Sequence, residues 1–311
     1  MILSVSRRTD IPAYYSEWFM NRLQEGYVLI KNPMNANQIS KVALNPYVVD
    51  CIVFWSKNPK PLIKSLDLID RMGYKYYFQF TITPYDDLIE AALPDKNEIL
   101  KTFISLSNKI GKEKVVWRYD PIIINNKFTV DFHLDSFSRM ISILSSYTNE
   151  CIISFVDPYK KAKNKMRDDL PADISEIDIL KIAEGFSRIS ANSGISLKTC
   201  AEKIDLAKFG IDHASCIDKK IIEKIISGSL SGKIKKDGQR QECGCIECID
   251  IGAYDTCNNG CIYCYATDHD KALSNYRIHD PNSPLLIGNA TENDKVTERK
   301  VVSFREPLRL F

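Results

Sequence analysis

The sequence predicts an α/β fold, a parallel (β/α) barrel or a partial, TIM-like one, and three observations predict it. Short β-rich runs alternate with amphipathic helical stretches about seven or eight times, the pattern of a parallel sheet with helices outside it. Polar residues gather just after those runs, at the face where such a barrel opens its active site. A cysteine-rich loop follows the last run, so it opens on that same face.

Taken in order, the predicted strands are Ile2–Ser6, Tyr27–Lys31, Cys51–Trp55, Tyr76–Thr83, Lys114–Tyr119, Cys151–Val156, Ile195–Cys200 and Cys248–Tyr254. Each is short and rich in β-branched or aromatic residues. The predicted helices lie between them. Ser16–Glu25 stops at Gly26, which suits a left-handed C-terminal position. Pro61–Met72 carries Leu62, Leu66, Ile69 and Met72 near one face and stops at Gly73. Lys96–Ile110 and Leu134–Tyr147 show similar apolar stripes. Ser175–Ser193 begins at an N-capping serine and ends before Gly194. One domain is expected over residues 1–311, with residues 200–248 forming a separate metal-binding segment. The tail 280–311, punctuated by Pro281, Pro284 and Pro307, reads as an irregular wrap across the barrel.

Composition narrows the function classes. With 44% hydrophobic and 26% charged residues the chain is an ordinary globular mix, and its net charge of +2 offers no basic field on the scale that nucleic acid requires. No segment is long and apolar enough to span a bilayer, and the first apolar run is too short for a secretion signal. Ten cysteines in such a chain point to a reducing cytoplasm and to metal ligation. His133, His213, His269 and His279 are scattered without metal-ligand spacing. No phosphate-binding loop, nucleophile elbow or dinucleotide fingerprint occurs. The basic run Lys233–Arg240 reads as a solvated loop.

The chemistry concentrates in Cys257, Cys261 and Cys264, spaced C-x3-C-x2-C, with Tyr263 before the last. Iron–sulfur clusters are ordinarily held by four thiolates, so three on one loop leave one iron of a cubane without a protein ligand. Zinc is the alternative, because six cysteines fall between Cys243 and Cys264 and zinc also takes four thiolates. The polar strand ends supply further candidates: Arg7, Arg8 and Asp10; Lys57 and Asn58; Thr81, Thr83 and Tyr85; Arg118 and Asp120; Asp157; Cys200 and Glu202.

The cysteine spacing and its aromatic residue resemble the signature of the radical S-adenosylmethionine superfamily. The string from Gly260 to Ala266 is similar to the loop of spore photoproduct lyase-like members. The resemblance implies a 4Fe-4S cluster on Cys257, Cys261 and Cys264, with S-adenosylmethionine bound to its open iron beside Tyr263. It also implies reductive cleavage of that cofactor, hydrogen abstraction from an unidentified substrate, and a low-potential donor such as flavodoxin or ferredoxin. A nucleic-acid lesion stays open as substrate. Gly260 is expected to let the backbone approach the cluster. In that superfamily the loop follows the first strand, whereas here it follows the last. A circular permutation reconciles the two if Cys248–Tyr254 pairs beside Ile2–Ser6. Over nearly the whole chain, Ser4–Pro12, Phe54–Pro59, Trp117–Pro121, Cys243–Cys245 and Asp250–Tyr254 resemble an uncharacterised bacterial family, domain-of-unknown-function family 1848.

The remaining candidates divide by chemistry. Arg7, Arg8 and Asp10 suit contact with a carboxylate or an anionic substrate, or form a salt-bridged barrel end. Arg118 and Asp120 are ligand contacts or a paired rim. Glu202 is a candidate acceptor for ribose or amine groups, and Lys57 reads as a solvated lysine. Cys200, Cys216, Cys243 and Cys245 are the candidate ligands of a second 4Fe-4S cluster, with Cys248 as an alternative ligand and zinc as an alternative occupant. Cys51 and Cys151 belong to apolar strands and read as core. Two rivals from other classes are a non-catalytic zinc-binding module and a fully ligated iron–sulfur redox protein.

Overall fold

The structure, a computed structural model, describes residues 1–157, 174–238 and 242–306. Its centre is an eight-stranded parallel sheet. In chain order the strands of the molecule are β1 (Ile2–Val5), β2 (Tyr27–Asn32), β3 (Asn35–Ala43), β4 (Cys51–Ser56), β5 (Tyr76–Thr81), β6 (Val115–Ile122), β7 (Glu150–Phe155), β8 (Ser196–Thr199), β9 (Asp212–His213), β10 (Ile249–Asp250) and β11 (Lys295–Glu298). The large sheet runs β10-β1-β4-β5-β6-β7-β8-β9. Its edges, β9 and β10, do not pair with each other among the described residues, so the sheet is open. Both edge strands are two residues long, too short to zip a closing seam.

Alternation along the strands produces two faces. Leu3, Val5, Ile52, Phe54, Phe78, Phe80, Trp117, Tyr119, Cys151 and Ile153 belong to the core that packs under the helices. The opposite face carries Ile2, Cys51, Val53, Tyr77, Val116 and Ile152, which pack against Ala214, Cys216, Ile217, Ile222, Leu230 and Cys245. Residues from the 214–248 segment therefore cover the face that would line a barrel. Tyr77 and Gln79 fasten this cover, donating to the Cys216 carbonyl at 2.7 and 2.8 Å.

The last strand does pair beside the first, with Leu3 opposite Ile249 and Ser4 opposite Asp250. Asp250 locks the seam by accepting from Ser4 Oγ (2.9 Å), Ser6 Oγ (2.6 Å) and the amides of Arg7 and Gly252 (3.0 Å each). Gly252 is required by the closeness of this approach: a Cβ there would lie 2.0 Å from Ser6 Oγ and 2.6 Å from Ser6 Cβ. Gly252→Ala is expected to destabilise the protein by about 1–3 kcal/mol, the cost of overpacking. Thermal unfolding should show the loss, while Gly232→Ala, where no atom lies within 4 Å, should leave the midpoint unchanged.

Several expected elements are revised. Tyr27–Asn32 leaves the parallel sheet and pairs antiparallel with β3, which also pairs with β11, making a separate three-stranded sheet. The tail is thus not wholly irregular, although Pro307 lies outside the described residues. Pro61–Met72 is two short helices, Lys60–Ile63 and Leu66–Arg71. The helix expected at Leu134–Tyr147 runs Val130–Leu144, started by Thr129, whose side chain accepts the Phe132 amide. Ser16–Glu25 and Lys96–Ile110 stand as expected, and Gly26 is left-handed at φ 76°. Ser175 caps a helix over Glu176–Ser190. The end of the basic run, residues 239–240, lies outside the described residues. No helix among the described residues is long and apolar enough to cross a membrane.

Candidate active site

A cavity of about 310 Å³ opens at the C-terminal ends of β1 and β4–β8. It is at the lower end of the range for small-molecule sites. Its lining includes seven cysteines: Cys257, Cys261 and Cys264 from the loop after β10, and Cys200, Cys216, Cys243 and Cys245 from segments near β8, β9 and β10. Arg7, Arg8, Asp10, Lys57, Arg118, Asp120, Asp157 and Tyr263 share the wall. The structure thus brings most of the expected residues to one place. No histidine reaches it; His133, for one, is buried between Tyr119 and the Ile123 carbonyl.

The three-cysteine loop is held from below by buried polar contacts. Thr9 Oγ1 and Thr256 Oγ1 are 2.6 Å apart, and Tyr15 donates to the Thr256 carbonyl at 2.7 Å. Asn259, between the first two cysteines, donates to Asp10 Oδ2 at 3.0 Å and accepts from Tyr14 at 3.0 Å. Asp10 also accepts from Ser56 Oγ (2.7 Å) and the amides of Lys57 (2.8 Å) and Ala13 (3.1 Å). Burial pushes its carboxyl up, against the pull of these donors. With four donors in place Asp10 is a clamp between β1, β4 and the loop, and it also lines the cavity. Gly260, at φ 68°, serves the turn of the loop, and an added Cβ would press on Ala91 and Ala92.

Glu90 is the centre of a second network. The residue is 2% exposed, and its carboxylate accepts from Lys57 Nζ (2.7 Å), Lys96 Nζ (2.5 Å), Thr83 Oγ1 (2.8 Å) and Tyr263 Oη. Burial would raise this carboxyl, but Lys57 and Lys96 outweigh it and hold it at about 2. Lys57 is therefore not a solvated lysine; it is paired beneath the loop, 5.6 Å from the centre of the Tyr263 ring. Tyr263 lines the cavity with its hydroxyl anchored.

The arginines are engaged differently. Two guanidinium groups lie over the Trp55 ring, Arg7 at 5.5 Å and Arg118 at 5.4 Å. Arg7 also pairs with Asp237 at 2.6 Å and donates to Cys248 Sγ at 3.2 Å. Arg118 pairs with Asp120 and donates to Cys216 Sγ at 2.8 Å. Asp120 in turn accepts from Ser154. Arg118 and Asp120 thus form a paired rim that also faces the cavity. Arg8 stacks on Tyr254 at 4.9 Å and has no acidic partner among the described residues. Glu202 does not line the cavity; its carboxylate accepts the Phe155 amide at 2.8 Å, tying β7 to the turn after β8.

The second group of thiols is compact. Cys200 and Cys216 sulfurs are 3.0 Å apart. Cys216 also interacts thiol to thiol with Cys245, and Cys245 with Cys243. Sharing with Cys245 lowers the Cys243 thiol to about 7, while Cys216 and Cys245 sit at about 11. Cys248 stands apart, outside the cavity wall and under Arg7. Cys51 and Cys151 are buried in their strands, as expected. Among the described residues no three His, Cys, Asp or Glu side chains already stand as a preformed metal site.

The fold and site define a mixed α/β protein whose parallel sheet presents a cysteine-lined cavity at its strand ends. The chain belongs to the family described as domain of unknown function (DUF1848), whose family model matches residues 2–266. No curated protein matches the chain. Among solved structures it is similar to a crystal structure described as a "putative alpha-L-fucosidase" from Bacteroides thetaiotaomicron. The identity is 13%, the match covers 75% of this chain and 83% of that one, and the TM-score is 0.29.

Proposed function

We propose that the protein is a radical S-adenosylmethionine enzyme on an open, permuted (β/α) sheet, with a 4Fe-4S cluster on Cys257, Cys261 and Cys264. The observation that carries this reading is the position of those thiols. All three line one cavity, at the strand ends, on a loop whose strand is seated beside β1. The donor set suits an iron–sulfur cluster. Three thiols on one loop facing one cavity match a cubane that keeps one iron open. Bound there, a cluster with an open iron would supply the electron for reductive cleavage of S-adenosylmethionine.

The chain's own residues would do the rest. Asn259, Thr256 and Tyr15 fix the loop, and the cations Lys57 and Arg118 offset negative charge at the cavity. Arg8, which has no acidic partner among the described residues, would meet the carboxylate of the cofactor or an anionic substrate. Protein purified without oxygen, loaded with iron and sulfide, reduced by a low-potential donor and given S-adenosylmethionine should yield deoxyadenosine. Colourless protein that holds zinc alone and gives no product would overturn the reading.

A further inference from the structure

We propose that Cys200, Cys216, Cys243 and Cys245 form a mononuclear tetrathiolate site for a thiophilic divalent ion, zinc or iron, rather than the seat of a second cubane. This goes beyond the proposed reaction and does not depend on it. Spacing distinguishes one ion from a cubane. Around one ion with metal–sulfur bonds near 2.3 Å, tetrahedral ligands lie about 3.8 Å apart. A cubane places several irons and sulfides between its thiolates and spreads them much farther. The Cys200 and Cys216 sulfurs are already 3.0 Å apart, and Cys243 and Cys245 line the same cavity beside them.

Two donors complete the environment. Arg118 Nη1 donates to Cys216 Sγ at 2.8 Å and the Ile217 amide to Cys245 Sγ at 3.3 Å. N–H groups aimed at sulfur, one of them cationic, stabilise the excess negative charge of four thiolates on a divalent ion. The ligands also come from both sides of the open seam: Cys200 follows β8, Cys216 follows β9, and Cys243 and Cys245 precede β10. One ion would staple an edge that no hydrogen-bonded ladder closes among the described residues.

The test uses the full chain carrying Cys257→Ala, Cys261→Ala and Cys264→Ala together, so that failure of the proposed reaction cannot obscure the result. Zinc and iron are counted in this variant, and cobalt(II) is then added to metal-free protein. The expected result is about one tightly held ion per chain, and intense cobalt bands of a tetrahedral thiolate site. Cys243→Ser, at a half-buried position, should remove those bands while the protein stays folded, whereas Cys248→Ser should keep them. Several irons with matching sulfide, no metal at all, a Cys200–Cys216 disulfide in their place, or loss of cobalt on Cys248→Ser would each overturn the assignment.

Discussion

Cys261→Ala is expected to lower deoxyadenosine formation by more than about 100-fold, beyond the loss usual for a residue that merely supports a metal ligand. Cys261 is the middle of three thiols that have no protein substitute within the loop: the other cavity cysteines belong to the separate, compact group. The variant should also fail to take up iron at the loop after reconstitution. Folding is not expected to suffer, because the loop is fixed by Asn259, Thr256 and Tyr15 rather than by its sulfurs. Unchanged circular dichroism together with lost product would support the proposed reaction. Undiminished product would remove Cys261 from it and with it the cluster assignment.

Glu90→Gln is expected to cost about 3–5 kcal/mol, as when one member of a buried ion pair is deleted. The carboxylate answers two ammonium groups, a threonine and a tyrosine at once, and the substitution strands Lys57 and Lys96. Tyr263 would lose its anchor, so iron loading should fall as well. Urea unfolding of the metal-free chain reads the stability directly. Adding Lys96→Met should restore part of it by removing one uncompensated charge. A Glu90→Gln protein within about 1 kcal/mol of the parent would mean that the network behaves like a surface pair. Since the carboxyl is held at about 2 against an ordinary 4.5, its contribution is complete above 4.5 and is lost as pH falls through about 2.

The site was more legible in the sequence than the network that supports it. Cys257, Cys261 and Cys264 are close in the chain, and their spacing carries its own chemistry. The parallel strands showed as apolar runs because both faces of the sheet are covered. The second sheet did not show, since β3 begins in an asparagine-rich stretch and β11 is exposed along its whole length. Glu90 carries no motif of its own; its role depends on Lys57, brought from 33 residues away by the fold. Asp10 and Glu202 carry groups that suit a cofactor, yet their partners are backbone amides and neighbouring side chains that no spacing reveals. That Cys245 lines the cavity while Cys248 is engaged by Arg7, which follows β1, is likewise set by the fold and not by spacing.

The two guanidinium groups over Trp55 have a consequence for observing the protein. Of its three tryptophans, Trp18 and Trp117 are fully buried in the helix-packed core, while Trp55 forms part of the cavity wall. Its indole is within reach of whatever enters, and its emission is exposed to quenching by any metal or ligand that settles there. The chain therefore contains its own fluorophore at the site, and binding can be followed by light without attaching a label.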